Sequence, residues 1–146
     1  VYGDARVYGN AQVYGDAWVY GNAQVSFGIL TADIFECLQQ YIACSLNVYP
    51  INGEYLLYKR VNKIKDGEWA SCRDRGFIYK AGKYKYVKDF DPDKSVSCSE
   101  GIHVSTPFYW DEGDTLIAVK VKVGDIITCQ EGKLRVKGAT PIGEVR

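Results

Sequence analysis

Residues 1–24 read VYGDARVYGNAQVYGDAWVYGNAQ, one six-residue phrase of the form Val-Tyr-Gly-(Asp/Asn)-Ala-x repeated four times. After Val25 the phrase does not return, and the chain of 146 residues continues in another idiom. Within each phrase Val and Ala fall on one side of a short strand, and Tyr and x on the other. The Gly-Asp and Gly-Asn pairs supply residues that tolerate the backbone angles of a tight corner. A corner every six residues is too frequent for a meander, whose strands run about five or six residues before turning. The period reads as the coil of a parallel β-helix.

Over residues 1–25 the phrase resembles the hexapeptide-repeat, left-handed parallel β-helix family, with an aliphatic residue inward and a small one four places later. The resemblance implies three phrases to a triangular coil, which would stack Tyr2 beneath Tyr20 and Asp4 beneath Asn22. Little more than one coil is visible, and one coil cannot bury itself. Stability is expected from further coils upstream, suggested by the start in mid-repeat, from packing on the following segment, or from self-association. The outward Tyr ladder either binds sugar or a partner chain, or simply suits an exposed β face. Hexapeptide acyltransferases need several coils and a catalytic His. The first His of this chain is His103, so that activity is not expected.

The next stretch, SFGILTADIFECLQQYIACSLNVYPING (26–53), changes period: Ile34, Phe35, Leu38, Tyr41, Ile42 and Ser45 recur at helical spacing. It predicts one amphipathic helix over about 32–46, with Thr31 as N-cap, Asp33 in the first turn and Asn47 as C-terminal cap. Such a helix would cap the raw end of the β-helix or make a trimer contact. Cys37 and Cys44, two turns apart, read as packing thiols.

From Glu54 the pattern is β: YLLYKRV, GFIYKAG, KYKYVKD, GIHVST, TLIAVKVKVG, DIITCQ, KLRVKG and PIGEV are short runs rich in Val, Ile and Tyr. Val119-Lys120-Val121-Lys122-Val123 is a strand with one wet face, and Gly124-Asp125 after it suggests a type II′ corner. Gln130-Glu131-Gly132-Lys133 turns into the next strand. The expected fold class is therefore mainly β with one helix (α+β): a short left-handed parallel β-helix segment at 1–30, a capping helix and linker at 31–53, and a small antiparallel β barrel or sandwich at 54–146.

Eighteen Lys and Arg balance eighteen Asp and Glu, which gives no global pull toward nucleic acid or an anionic surface. Locally the balance fails. Residues 59–88 carry ten basic residues against three acidic ones, interleaved with aromatics, a stripe that could bind nucleic acid or be only a solvated face. No run approaches the length of a membrane span, and the chain is expected to be cytoplasmic, in an infected or lysogenic bacterial cell or a virion. Five cysteines make a poor disulfide framework. Zinc on Cys72, Cys98, His103 and Cys129 is conceivable by ligand type, but no Cys-x-x-Cys pair supports it, and no metal or other cofactor is expected. Asp89, Asp91 and Asp93 have calcium-loop spacing, yet Pro92 and the missing Gly and Glu argue against an EF-hand.

The phrase Ser97-Cys98-Ser99-Glu100-Gly101-Ile102-His103-Val104-Ser105, followed by IAVKVKVGDIIT and GKLRVKGATPIGEV, resembles domains of unknown function in bacteriophage and giant-virus proteins, including the C-terminal part of phage rapid-lysis B proteins. It implies a viral or prophage origin and no particular chemistry. A weaker likeness is to ADP-ribosyltransferases, through Tyr58-Lys59-Arg60, Ser97-Cys98-Ser99 and Gly101-Ile102-His103-Val104. The catalytic Glu of that family has no good match, since Glu131 sits in a turn and Glu144 near the end, and transfer chemistry needs a carboxylate at the developing cation. His103, the one histidine, lies between Ile102 and Val104 on a strand, where a hydrogen-bonded structural His is the plainer reading.

The expected ligand site, chosen for convergent aromatic and polar groups, is Arg60, His103, Ser105, Tyr109 and Trp110. No catalytic residue is assigned. The sequence reads best as a non-enzymatic phage or prophage protein, a β-helix stalk displaying a small binding domain and assembling as a trimer. Its partner would be a protein or a nucleotide-like small molecule. An ADP-ribosyltransferase-like domain and a nucleic-acid binder are the alternatives.

Overall fold

The structure, a computed structural model, describes residues 1–26, 29–32 and 38–146. The chain divides into two compact units, Val1–Tyr49 and Pro50–Arg146.

In the first unit the repeat makes short parallel pairs. Strand β1 (Arg6–Val7) lies beside β3 (Gln24–Val25), and β2 (Gln12–Gly15) beside β4 (Ile29–Ala32). Arg6 sits opposite Gln24 and Val7 opposite Val25, three phrases on, as the stacking interval requires. Gln12 sits opposite Ile29, one residue short of that interval, because the phrase has ended at Val25. Tyr2, Tyr8, Tyr14 and Tyr20 are exposed, whereas Val7 and Val13 are partly covered and Val19 is buried, the predicted sidedness. All four repeat glycines take positive φ, between 61° and 66°. At Gly9 a Cβ would also come within 2.7 Å of the Ser26 carbonyl oxygen, so no other residue fits that corner.

Helix α1 runs Leu38–Leu46 beside β4, with Tyr41 and Ile42 buried. Asn47 closes it as predicted: at φ 53° its N–H reaches the Ala43 carbonyl at 3.0 Å. Thr31 is not an N-cap. It belongs to β4, where parallel pairing opposite Tyr14 occupies that backbone. Asp33, Ile34, Phe35 and Cys37 lie outside the described residues.

The second unit is one antiparallel sheet of nine strands: β5 (Glu54–Lys65), β6 (Glu68–Ser71), β7 (Ile78–Lys80), β8 (Lys85–Tyr86), β9 (Ile102–Ser105), β10 (Thr115–Lys122), β11 (Ile126–Gln130), β12 (Lys133–Val136) and β13 (Gly138–Glu144). The order is β11-β12-β9-β5-β10-β13-β8, with β6 joined to β5 and β7 to β6. Strand β5 is the spine. It pairs with β10 over Glu54–Val61, meets β9 where Tyr58 faces Ser105, and continues into the hairpin with β6. The core is the inward set Tyr55, Leu57, Val61, Ile102, Val104, Ile117, Val119, Val121, Leu134 and Val136. Full burial of each aliphatic side chain contributes roughly 1.5–3 kcal/mol.

Each predicted strand run contains an observed strand, but the barrel does not close. The end strands β11 and β8 pair inward only. Nor is Gly124-Asp125 a II′ hairpin corner. Val123–Asp125 is a single 3₁₀ turn, its Val123 carbonyl taking the Ile126 N–H, and β11 leaves β10 to pair with β12 across the sheet. The Gln130–Lys133 turn is a true hairpin, with Glu131 at φ 54° and Gly132 at φ 80°. Among the described residues no helix is long and apolar enough to cross a membrane.

The loop between β8 and β9 has no regular structure and is fastened by Arg135. This fully buried guanidinium donates to the carbonyls of Asp91, Asp93, Val96 and Glu100. Thr128 Oγ1 adds a bond to the Lys94 carbonyl at 2.7 Å. Replacing Arg135 by Met removes the shared donor from four acceptors at once. The expected loss is about 3 kcal/mol or more in urea unfolding, with amide exchange across 88–101 accelerating well beyond that of β5 and β10.

Candidate functional site

Alternation along β5 puts Tyr55, Leu57, Lys59 and Val61 on one face, so a lysine stands where an apolar residue would be expected. Its ammonium donates to the His103 carbonyl at 2.9 Å, and no carboxylate lies within ion-pair distance among the described residues. Burial lowers its pKa to about 8, against smaller opposing effects of Cys72 and Glu112.

Around Lys59 opens a cavity of about 340 Å³. Its walls come from β5 (Lys59, Arg60), the end of β6 and the turn after it (Ser71 to Asp74), the rings of Phe77 and Tyr79, and β9 (His103). Glu100 and Gly101 from the Arg135-held loop, and Trp110 and Glu112 from the segment before β10, complete it. Arg73 and Glu112 stand 3.9 Å apart as an exposed ion pair. Gly101 is required there: at φ 151° a Cβ would come within 2.9 Å of the Arg135 side chain.

Five buried side-chain nitrogen or oxygen atoms among the described residues lack a hydrogen-bond partner, and three belong to this cavity: Arg60 Nε, His103 Nε2 and Trp110 Nε1. Buried polar groups are nearly always satisfied, so three orphans on residues that border one cavity are unusual. Arg60 Nε and Trp110 Nε1 can only donate. Burial first, then the Lys59, Lys133 and Arg135 cations, holds the His103 imidazole down at about 4, so it is neutral at pH 7 and its Nε2 can donate or accept according to tautomer.

Of the five residues expected at the site, Arg60, His103 and Trp110 border the cavity. Ser105 and Tyr109 do not: the buried Ser105 hydroxyl donates to the Gly132 carbonyl, and Tyr109 packs edge-to-face on Trp110 at 4.5 Å. His103 is not the hydrogen-bonded structural histidine expected, since its Nε2 has no partner. Sequence reading missed Lys59, Cys72, Phe77 and Tyr79. The charged residue at an inward position of β5 was the one available signal; the rest arrive through the β5–β6 hairpin, and β6 was not foreseen. The glutamates weighed for transfer chemistry lie elsewhere, Glu131 bonded by Ser97 and Glu144 by Trp69 and Lys63. No group of three or more metal-ligating side chains occurs among the described residues. In the basic stretch Lys63 pairs with Asp66 and Glu144, and both Lys65 and Lys80 with Glu68, leaving less free charge than the sequence suggested.

Residues 55–112 match the model of a family described as a family of unknown function, DUF5758. No curated protein and no solved structure matches the chain. Every residue bordering the cavity falls inside the matched segment.

The lowered His103 pKa gives a test by linkage. The unfolded chain takes up a proton near pH 6.5 that the folded chain accepts only near 4, so stability falls as pH drops through that window. At this partly open site the loss should be about 1–2 kcal/mol. His103→Gln should unfold in urea with a flatter dependence between pH 6.5 and 4 than the parent. Equal slopes would show that the imidazole is not desolvated.

Proposed function

We propose that the chain is a non-enzymatic binding protein of phage or prophage origin, in which the C-terminal unit takes a small, acceptor-rich, nucleotide-like ligand into the Lys59 cavity. The observation that carries the reading is the set of orphaned polar atoms on Arg60, His103 and Trp110 around one cavity. An anionic group accepting from Lys59, Arg60 and Trp110 would satisfy them, and a flat ring would lie against Phe77, Tyr79 or Trp110. The carboxylates of Glu100, Glu112 and Asp74 would accept from hydroxyls at the other end of such a ligand. The viral origin rests on the sequence phrase at 97–105. An ADP-ribosyltransferase-like activity would need Glu100 or Glu112 as its carboxylate, since among the described residues they are the glutamates that border the cavity.

Calorimetric titration with nucleoside mono- and diphosphates, and with inorganic phosphate as the fragment control, tests the site. The expected result is saturable binding of at least one nucleotide, weakened about tenfold by Trp110→Phe, which keeps a ring and removes the N–H, and more by Arg60→Ala. No heat from any nucleotide, or equal affinity in all three proteins, overturns the reading.

The repeat unit, in this reading, is a left-handed β-helix segment that assembles copies of the chain as a trimer. Its parallel pairing three phrases apart and its exposed Tyr ladder support this. Light scattering should find the full chain a trimer and residues 50–146 a folded monomer. A monomeric full chain would leave the repeat with no assembly role.

A further inference from the structure

Beside the cavity stands a second cluster that the binding reading does not use. Lys133 opens β12 and is 6 % exposed, an ammonium under a loop. Its Nζ stands 2.8 Å from the Sγ of Cys98, which is exposed, and 3.8 Å from Glu131. The Trp110 ring lies on another side, its centroid 5.9 Å away. The position is enforced on both sides. β12 is locked between β9 and β11, and Arg135, two residues on, grips the loop that carries Cys98.

We propose that Cys98 and Lys133 form a peroxide-driven covalent crosslink, a single oxygen bridging Sγ and Nζ. The contact is shorter than an ordinary N–H···S hydrogen bond and brings the two atoms within reach of one bridging oxygen. An exposed thiol flanked by a cation is the setting in which peroxide acts. In the first step the thiol attacks one hydrogen peroxide, giving the sulfenic acid and one water. In the second, the Lys133 ammonium gives one proton to solvent, and the resulting amine and the sulfenic acid lose two hydrogens to a second peroxide. This forms the N–O bond, keeps the S–O bond and releases two waters. Sulfur and nitrogen are oxidised, two peroxides are reduced, and thiol reductants reverse the linkage to free thiol and amine.

The other described cysteines provide controls within the same molecule. Cys44 is exposed, but its unit, Val1–Tyr49, contains no lysine. Cys129 is fully buried and its thiol is pushed up to about 12 by burial, so it is shielded. Cys72, partly buried, donates to the Arg60 carbonyl at 3.5 Å. The bridge would join the β8–β9 loop to β12 covalently and remove a cation from the side of Trp110, linking the redox state of the surroundings to a wall of the cavity.

The test is to expose the full chain to hydrogen peroxide, digest it without reductant and identify linked peptides by mass spectrometry. The expected product joins the Cys98 and Lys133 peptides with one oxygen gained and two hydrogens lost. It disappears with dithiothreitol and is absent from Cys98→Ser and from Lys133→Arg. Cys98→Ser alters an exposed side chain, so its loss of the crosslink does not rest on a variant that fails to fold. Cys98 recovered only as sulfinic or sulfonic acid, unmodified, or in a disulfide, or the same crosslink surviving in Cys98→Ser, would overturn the proposal.

Discussion

A single buried guanidinium decides what the C-terminal unit can be. Arg135 has no exposed surface, and it donates to four backbone carbonyls of a loop with no ladder of its own. A buried charge without partners would be prohibitively costly, and buried carbonyls without donors nearly as much so. Each answers the other. The loop is fastened to β12 and delivers Glu100 and Gly101 to the cavity and Cys98 to Lys133.

The same exchange recurs at Lys59, two strands further into the sheet. There a lysine occupies an inward position and finds one backbone carbonyl, and the space around it is left open. Where Arg135 meets four acceptors, Lys59 has one, and three neighbouring polar atoms have none. The contrast separates a cation whose donors hold a loop from one that borders an open cavity. The whole cavity border lies within residues 55–112, the segment matched by the model of the family of unknown function.

Much of the architecture was legible in the chain. The likeness of the repeat to hexapeptide β-helices implied parallel stacking three phrases apart, Asn47 foretold the helix end, and every long β run became a strand. These are local matters, set by spacing, by backbone angle or by alternation. Thr31 was misread for a nonlocal reason: its pairing partner β2 lies seventeen residues earlier, and a parallel ladder outranks a capping preference. The strand pairings of the sheet could not be read either, since β10 and β11 are adjacent in sequence yet separated by β12, β9 and β5.

The site shows the same division. Arg60, His103 and Trp110 stood out by type and clustering, while Phe77 and Tyr79 looked like part of a wet basic stripe. In KLRV the alternation Lys133, Leu134, Arg135, Val136 reads as one apolar and one solvated face, but all four side chains are buried. Sequence determined that there would be a stacked repeat, a capped helix and a set of short antiparallel strands, because those depend on periodicity and the local backbone. Only the tertiary structure decided that a loop would cover the charged face of β12 and that a cavity would open beside Lys59. Those outcomes depend on which distant carbonyls reach a cation and which do not.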